Sequence, residues 1–381
     1  MFLGVIAGFV TASLLGGFRV VFEDSTIAVL GVIAASTVMF GVGAVDDVRE
    51  VSAPAKVAGI VLAGSLLVWS GVSIVNLPLP YLGFTVLSPD LSVLVTVVFV
   101  LILANAVNLI DGLDGLATGV MAIASGSFLL YSIKLNTASG MYPGNPGPLI
   151  AAVTLGICLG FLVWNFHPAK VFMGDSGALL LGLLMASASV AVGGQSDQSF
   201  TGQSWFFFAP IVIPLLILGV PLFDMAFAIV RRTTRGTGFA TADKDHLHHR
   251  LMRLGHGHRI AVVILWAWTA LLSAFALVPA ITGKARGLIA IGVGALVLGL
   301  FTMLWPTIGR RRQERADDES ISESVPASRD AEAETAESEA ADTEAADTAA
   351  TDTEAAQTNV AGSEVAGSEN PADVPTANSA N

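Results

Sequence analysis

Apolar runs long enough to cross a bilayer recur along most of this sequence, and they leave few folds open to it. A helix rises about 1.5 Å per residue, so roughly 17 to 25 apolar residues span the hydrocarbon. About ten such runs are present, at residues 2–22, 27–45, 57–75, 91–107, 117–133, 148–166, 177–192, 206–230, 260–281 and 287–304. Hydrophobic residues make up 53% of the chain and charged ones only 13%, which excludes an ordinary soluble domain. The expected fold is therefore all-α, a polytopic membrane protein of about ten transmembrane helices. The first run has no basic segment before it and no small-residue cleavage site, so it reads as a retained helix. Cys158 is the only cysteine and lies in an apolar run, so no disulfide framework exists.

The net charge of −12 is unevenly placed. From Asp317 onward there are 17 acidic residues against Arg329 alone, leaving 18 basic and 14 acidic residues in the rest. That tail is rich in Ala, Glu, Asp, Thr and Ser and holds no aromatic residue, so it cannot bury enough surface to offset chain entropy. Two regions follow: a transmembrane catalytic domain over residues 1–309, and a disordered, acidic cytoplasmic tail over 310–381. If the spans alternate, one side carries 14 of the 18 Lys and Arg residues before Asp317 and the other carries Arg19, Lys134, Lys284 and Arg286. The richer side is assigned to the cytoplasm of a plasma membrane. All six histidines fall on it, together with Asp46, Asp47, Asp111, Asp114 and Asp175. The helix interiors are almost free of ionisable groups, which fits chemistry at an interface better than permeation.

Four polar clusters stand out. In the first, Asp46 and Asp47 close an apolar helix, and paired carboxylates can hold a hard cation or take a proton from a phosphate. In the second, Asn105, Asn108, Asp111 and Asp114 recur every third residue on an apolar stretch, with a glycine after each Asp that permits close approach of a ligand. Such groups are costly at a lipid boundary unless they are paired or functional. In the third, Asn165, His167, Lys170, Phe172 and Asp175 lie on a short loop entering the next helix. Asp175 there is either an N-cap or a metal ligand, roles that are compatible, and Phe172 could stack on a base. In the fourth, His246, His248, His249 and Arg250 lie in the longest basic loop, with Arg253, His256, His258 and Arg259 after them. If helical, His246, His249 and Arg250 present one cationic face suited to a diphosphate. No cysteine joins these histidines, so zinc is disfavoured, while attraction to anionic lipid headgroups is an alternative.

Taken in order, these four motifs closely resemble the polyprenyl-phosphate N-acetylhexosamine-1-phosphate transferase family, and His246 to Leu251 is similar to its WecA-type, N-acetylglucosamine branch. The resemblance implies a magnesium-dependent membrane enzyme, with manganese as a substitute ion, that joins UDP-N-acetylglucosamine to polyprenyl phosphate and releases UMP. It implies Asp175 as metal ligand with Asn108 as a second, Asp46 as the group that deprotonates or orients the lipid phosphate, and Asp47 as its support. Asp111 and Asp114 would hold the nucleotide, Phe172 would stack on uracil, Asn165 would line that pocket, and His246, His248, His249 and Arg250 would grip the diphosphate and sugar. Membrane lipid and a homodimer partner are compatible with this reading; nucleic acid is not an expected partner. The family usually has a further helix and a basic loop before the point where this sequence starts, so an in-frame upstream extension is expected. Alternatives are the muramoyl-pentapeptide branch, a transporter or lipid flippase, and a CDP-alcohol phosphotransferase. A transporter predicts ionisable groups near helix centres, and the last requires further spaced aspartates that residues 111–119 do not supply.

Overall fold

Lipid offers no hydrogen-bond partner to a bare backbone, so a long apolar run must coil to satisfy its own peptide groups. The computed structural model describes residues 1–79, 83–139, 144–193, 212–234, 251–252, 257–282 and 287–304. In chain order the helices are α1 (Phe2–Leu14), α2 (Arg19–Asp24), α3 (Thr26–Val48), α4 (Ala53–Trp69), α5 (Pro89–Ile110) and α6 (Leu116–Ser139). They continue with α7 (Gly147–Asn165), α8 (Gly174–Gly193), α9 (Val212–Ile217), α10 (Gly219–Thr234), α11 (His258–Thr282) and α12 (Gly287–Leu304). Between α4 and α5 lies an antiparallel hairpin, β1 (Asn76–Leu79) and β2 (Gly83–Val86), with Asn76 opposite Val86. It is a small exception to the all-α expectation.

Among the described residues, seven helices are long and apolar enough to cross a membrane, and eight if one bent pair is counted as a span. Three of the expected spans account for the difference from about ten. The run at 2–22 is not one straight helix: Leu15 is extended, Gly16 and Gly17 follow, and the chain bends by 93° there. The run at 57–75 becomes α4, which has only 17 residues and ends before Gly71 turns with φ +87°. The run at 206–230 contains α9 and α10, and residues 206–211 lie outside the described residues. The acidic tail, residues 310–381, also lies outside them.

α8 is the centre of the bundle: 94% of its apolar window is buried, against 67% or less in every other span. It packs on α3, α5 and α7, while α4 covers α3 and α5, and α6 joins α7 to α11. Small residues allow this. A Cβ on Gly43 would run into the backbone of Asp175 and Ser176, so α3 and α8 meet backbone to backbone beside the carboxylates of both helices. Several hydroxyls inside the bundle turn back onto the preceding turn, Thr154 donating to Ile150 O at 2.7 Å and Ser189 to Met185 O at 2.7 Å. Among the described residues, Asp224 in α10 departs from the charge-free interiors, being 1% exposed.

Candidate active site

The ends of α3, α5 and α7 and the starts of α4, α6, α8 and α11 meet at one end of the bundle, tied by side chains from distant parts of the sequence. Lys56, in the first turn of α4, places its ammonium 2.6 Å from Asp46 Oδ2 and also bonds Asp175 Oδ2. That one ammonium holds the carboxyls of Asp46 and Asp175 together. Asp46 is fixed on its other oxygen by the Val51 N–H at 2.8 Å. Asp47 faces the next helix: its two oxygens accept the N–H groups of Asp175 and Ser176 at 2.7 and 3.1 Å. Capping of α8 is therefore supplied from α3, and Asp175, one residue inside the helix, is spared that duty. The preceding Gly174 has φ +63°, and a Cβ there would lie 2.7 Å from the Asp47 carboxylate.

Asp175 also lines a cavity of about 250 Å³ with Asp111, Asp114, Asn165, Phe172 and Met173. Phe172 is 76% exposed, an aromatic face with little to cover it. Asp111 is half-buried, and burial, then the negative charges of Asp175 and Asp47, push its carboxyl up to about 7. Its ionisation becomes favourable when a cation or a proton donor enters the cavity. On α5, one turn before Asp111, Asn108 keeps a buried amide nitrogen with no partner among the described residues. A half-turn of that amide would present its oxygen instead. Asn165 lines the same cavity but spends its amide on the walls: Oδ1 accepts from Gly115 N–H at 3.1 Å and Thr118 Oγ at 2.6 Å, and Nδ2 donates to Val171 O at 3.0 Å. It braces the pocket.

On the far wall, Asp114 Oδ2 bonds His167 Nδ1 at 2.7 Å and accepts the Ala169 N–H at 3.1 Å. Burial pushes this carboxyl up, but those two hydrogen bonds and the attraction of His258 and His167 together outweigh it and hold Asp114 below the usual carboxylate range. The His167 ring stacks on that of His258, the first residue of α11, with centroids 4.2 Å apart. Asp114, His167 and His258 each offer a ligand atom within 4.8 Å of the others, a grouping that could hold a metal ion.

The structure thus brings together Asp46, Asp47, Asp175, Asp111, Asp114, Asn165 and Phe172. His246, His248, His249 and Arg250 lie outside the described residues. Sequence reasoning passed over Lys56, although it is the basic residue nearest the Asp46–Asp47 pair on the helix that follows it. It also gave His167 and His258 no role, because a stack between residues 91 positions apart leaves no mark on local spacing.

The model of Glycosyl transferase family 4 matches residues 29–193, the stretch that carries every described carboxylate of the site. The decaprenyl-phosphate N-acetylglucosaminephosphotransferase of Mycobacterium tuberculosis is 37% identical over 81% of this chain and 78% of its own length. A probable undecaprenyl-phosphate N-acetylglucosaminyl 1-phosphate transferase of Bacillus subtilis is 32% identical over 70% of this chain and 67% of its own. The phospho-N-acetylmuramoyl-pentapeptide-transferase of Mycobacterium bovis is 32% identical over 70% and 78%. With a bundle built around α8, acidic helix ends gathered into one cavity, and relatives matched over most of their length, this chain belongs to glycosyl transferase family 4.

Proposed function

We propose that this protein transfers N-acetylglucosamine-1-phosphate from UDP-N-acetylglucosamine to polyprenyl phosphate, the first lipid-linked step of an envelope polysaccharide. An oxygen of the lipid phosphate attacks the β-phosphorus of the nucleotide sugar, the bond from that phosphorus to the α-phosphate oxygen breaks, and UMP leaves. One phosphoanhydride is exchanged for another, so the protein's task is to position two anions that repel each other. The observation that carries this reading is the continuity of Asp46, Lys56 and Asp175 with the cavity of Asp111 and Phe172. The decaprenyl-phosphate N-acetylglucosaminephosphotransferase of Mycobacterium tuberculosis matches at higher identity and over more of the chain than the muramoyl-pentapeptide relative, which favours that branch.

The residues fit a divalent ion. Asp175 and Asp46 are hard oxygen donors already gathered around one cation, the Lys56 ammonium, and Asn108, one turn before Asp111, has a buried amide nitrogen without a partner among the described residues. Asp175 and Asn108 would hold the ion, with magnesium the assigned metal and manganese a substitute. Bound there, magnesium would neutralise phosphate charge and stabilise the charge that develops on the departing UMP. Asp46 orients the lipid phosphate and takes its proton; Lys56 then holds the resulting anion. Asp47 fixes the start of α8 and so the height of Asp175. Asp111 and Asp114 accept hydrogen bonds from the nucleoside, and Phe172 stacks on uracil. His246, His248, His249 and Arg250 are assigned to the diphosphate and sugar. The charge bias of the connecting segments supports a site at the cytoplasmic face, in the plasma membrane where envelope precursors are assembled.

The test is to incubate the purified protein with sugar-labelled UDP-N-acetylglucosamine and polyprenyl phosphate, with magnesium and then with a chelator. Label should enter the lipid only with the ion, with one UMP released per sugar. Asp175→Asn should abolish transfer while the protein stays folded. Transfer that persists in the chelator, or in Asp175→Asn, would remove the metal role from Asp175.

A further inference from the structure

Behind the cavity lies a second layer that the reaction as proposed does not use. Asp114 contributes to the lining, but His167 and His258 do not. Both hydrogen bonds to the Asp114 carboxylate end on Oδ2, one from His167 and one from the Ala169 N–H. Among the described residues the other oxygen, Oδ1, has no hydrogen-bond partner, which leaves it to a ligand. The direction of Oδ1 therefore depends on the His167 ring, and that ring is held face-on by His258, with a tilt of 25°. His258 opens α11, eight residues after Arg250 in the chain, so the stack is also where the segment following the basic loop is fastened to the pocket wall.

Three ligating residues so close together invite a metal reading, but the geometry argues against it. A metal ligand's lone pair lies in its ring plane, and two nearly parallel stacked rings direct theirs side by side rather than to one point. The 2.7 Å between Asp114 Oδ2 and His167 Nδ1 is a hydrogen-bond length, shorter than the roughly 3.3 Å that separates two ligands of one tetrahedral ion at about 2.0 Å from each. A proton sits between them.

We infer that His167 and His258 are positioning residues for the nucleotide, His167 aiming the Asp114 carboxylate through Nδ1 and His258 fixing the His167 ring by stacking. This rests on the proposal that the cavity takes the uridine nucleotide. The role of His258 is its flat ring, so an aromatic replacement preserves it; the role of His167 is its Nδ1–H, so an aromatic replacement does not.

The experiment measures UMP binding by calorimetry, and the KM and kcat for both substrates, on the full chain in detergent with magnesium. His258→Ala should weaken UMP binding and raise the nucleotide-sugar KM about tenfold, the loss expected for a misdirected hydrogen bond to a charged group, with the polyprenyl-phosphate KM unchanged. His258→Phe should restore UMP affinity to within about threefold of wild type. His167→Phe should be as weak as His258→Ala, and its fold can be checked by its unfolding midpoint. Unchanged UMP affinity in His258→Ala, or failure of His258→Phe to recover it while remaining folded, would overturn the inference. So would stoichiometric zinc in the wild type that is lost in His258→Ala, which would make the trio a metal site. Wild type that binds no UMP would instead overturn the proposed function, so the two failures are distinguishable.

Discussion

Asp111 stands where a carboxylate is costly, and burial together with the charges of Asp175 and Asp47 pushes it up to about 7. The folded chain then keeps a proton that the unfolded chain loses near pH 4. Its contribution to stability is full below that pH and is lost as pH rises through about 7. In metal-free protein, unfolding in detergent should show wild type losing up to about 4 kcal/mol relative to Asp111→Asn between those limits. Magnesium should flatten this dependence, because a cation beside Asp111 favours the ionised form. Lys56 supplies the only ammonium within reach of both Asp46 and Asp175 among the described residues. Lys56→Met leaves two neighbouring carboxylates without a cation. Its unfolding midpoint should fall in chelator and recover with magnesium, while turnover measured with magnesium drops at least about a hundredfold.

At the scale of elements, the site depends on how closely α3 approaches α8. Gly43 admits the α8 backbone, and Gly174 takes the left-handed turn that sets its first N–H groups on Asp47. Gly174→Ala combines a positive φ, worth about 1–2 kcal/mol, with a Cβ pressed against the Asp47 carboxylate. Turnover should fall while the unfolding midpoint drops by only a few degrees, measured on the same preparation. The helices themselves were legible in the sequence because length and continuous apolarity alone determine a span; the run at 287–304 has the same limits as α12. What could not be read was whether a run breaks. Gly16 and Gly17 bend the first one through 93°, and the hairpin of Asn76–Leu79 and Gly83–Val86 carries too few residues to stand out beside long helices. Site residues were legible where they cluster in sequence, as in Asp111 to Asp114. They were not where the fold alone pairs them, as with Lys56 and Asp175 or His167 and His258. Asp114 was legible as a carboxylate, but not which oxygen it leaves for a ligand.

For the whole molecule, the carboxylate end and the hairpin end of the bundle should face opposite sides of the membrane. With Cys158, which is buried, replaced by Ser, a cysteine at exposed Glu50 should react with a membrane-impermeant reagent only from the cytoplasmic side, and one at exposed Val86 only from outside. Reaction of both from one side would refute the assigned orientation. The bundle exists to bring residues from α3, α4, α5 and α8 to one point, and that convergence is most directly tested with a spectroscopic ion. Manganese bound to the full chain in detergent can be counted by electron paramagnetic resonance, in wild type and in Asp46→Asn, Asp111→Asn and Asp175→Asn. A single ion per chain is expected, bound tighter when UMP is present and weakened at least about tenfold by each of the three substitutions. An ion indifferent to all three substitutions, or separate ions each sensitive to a different one, would contradict a single shared site.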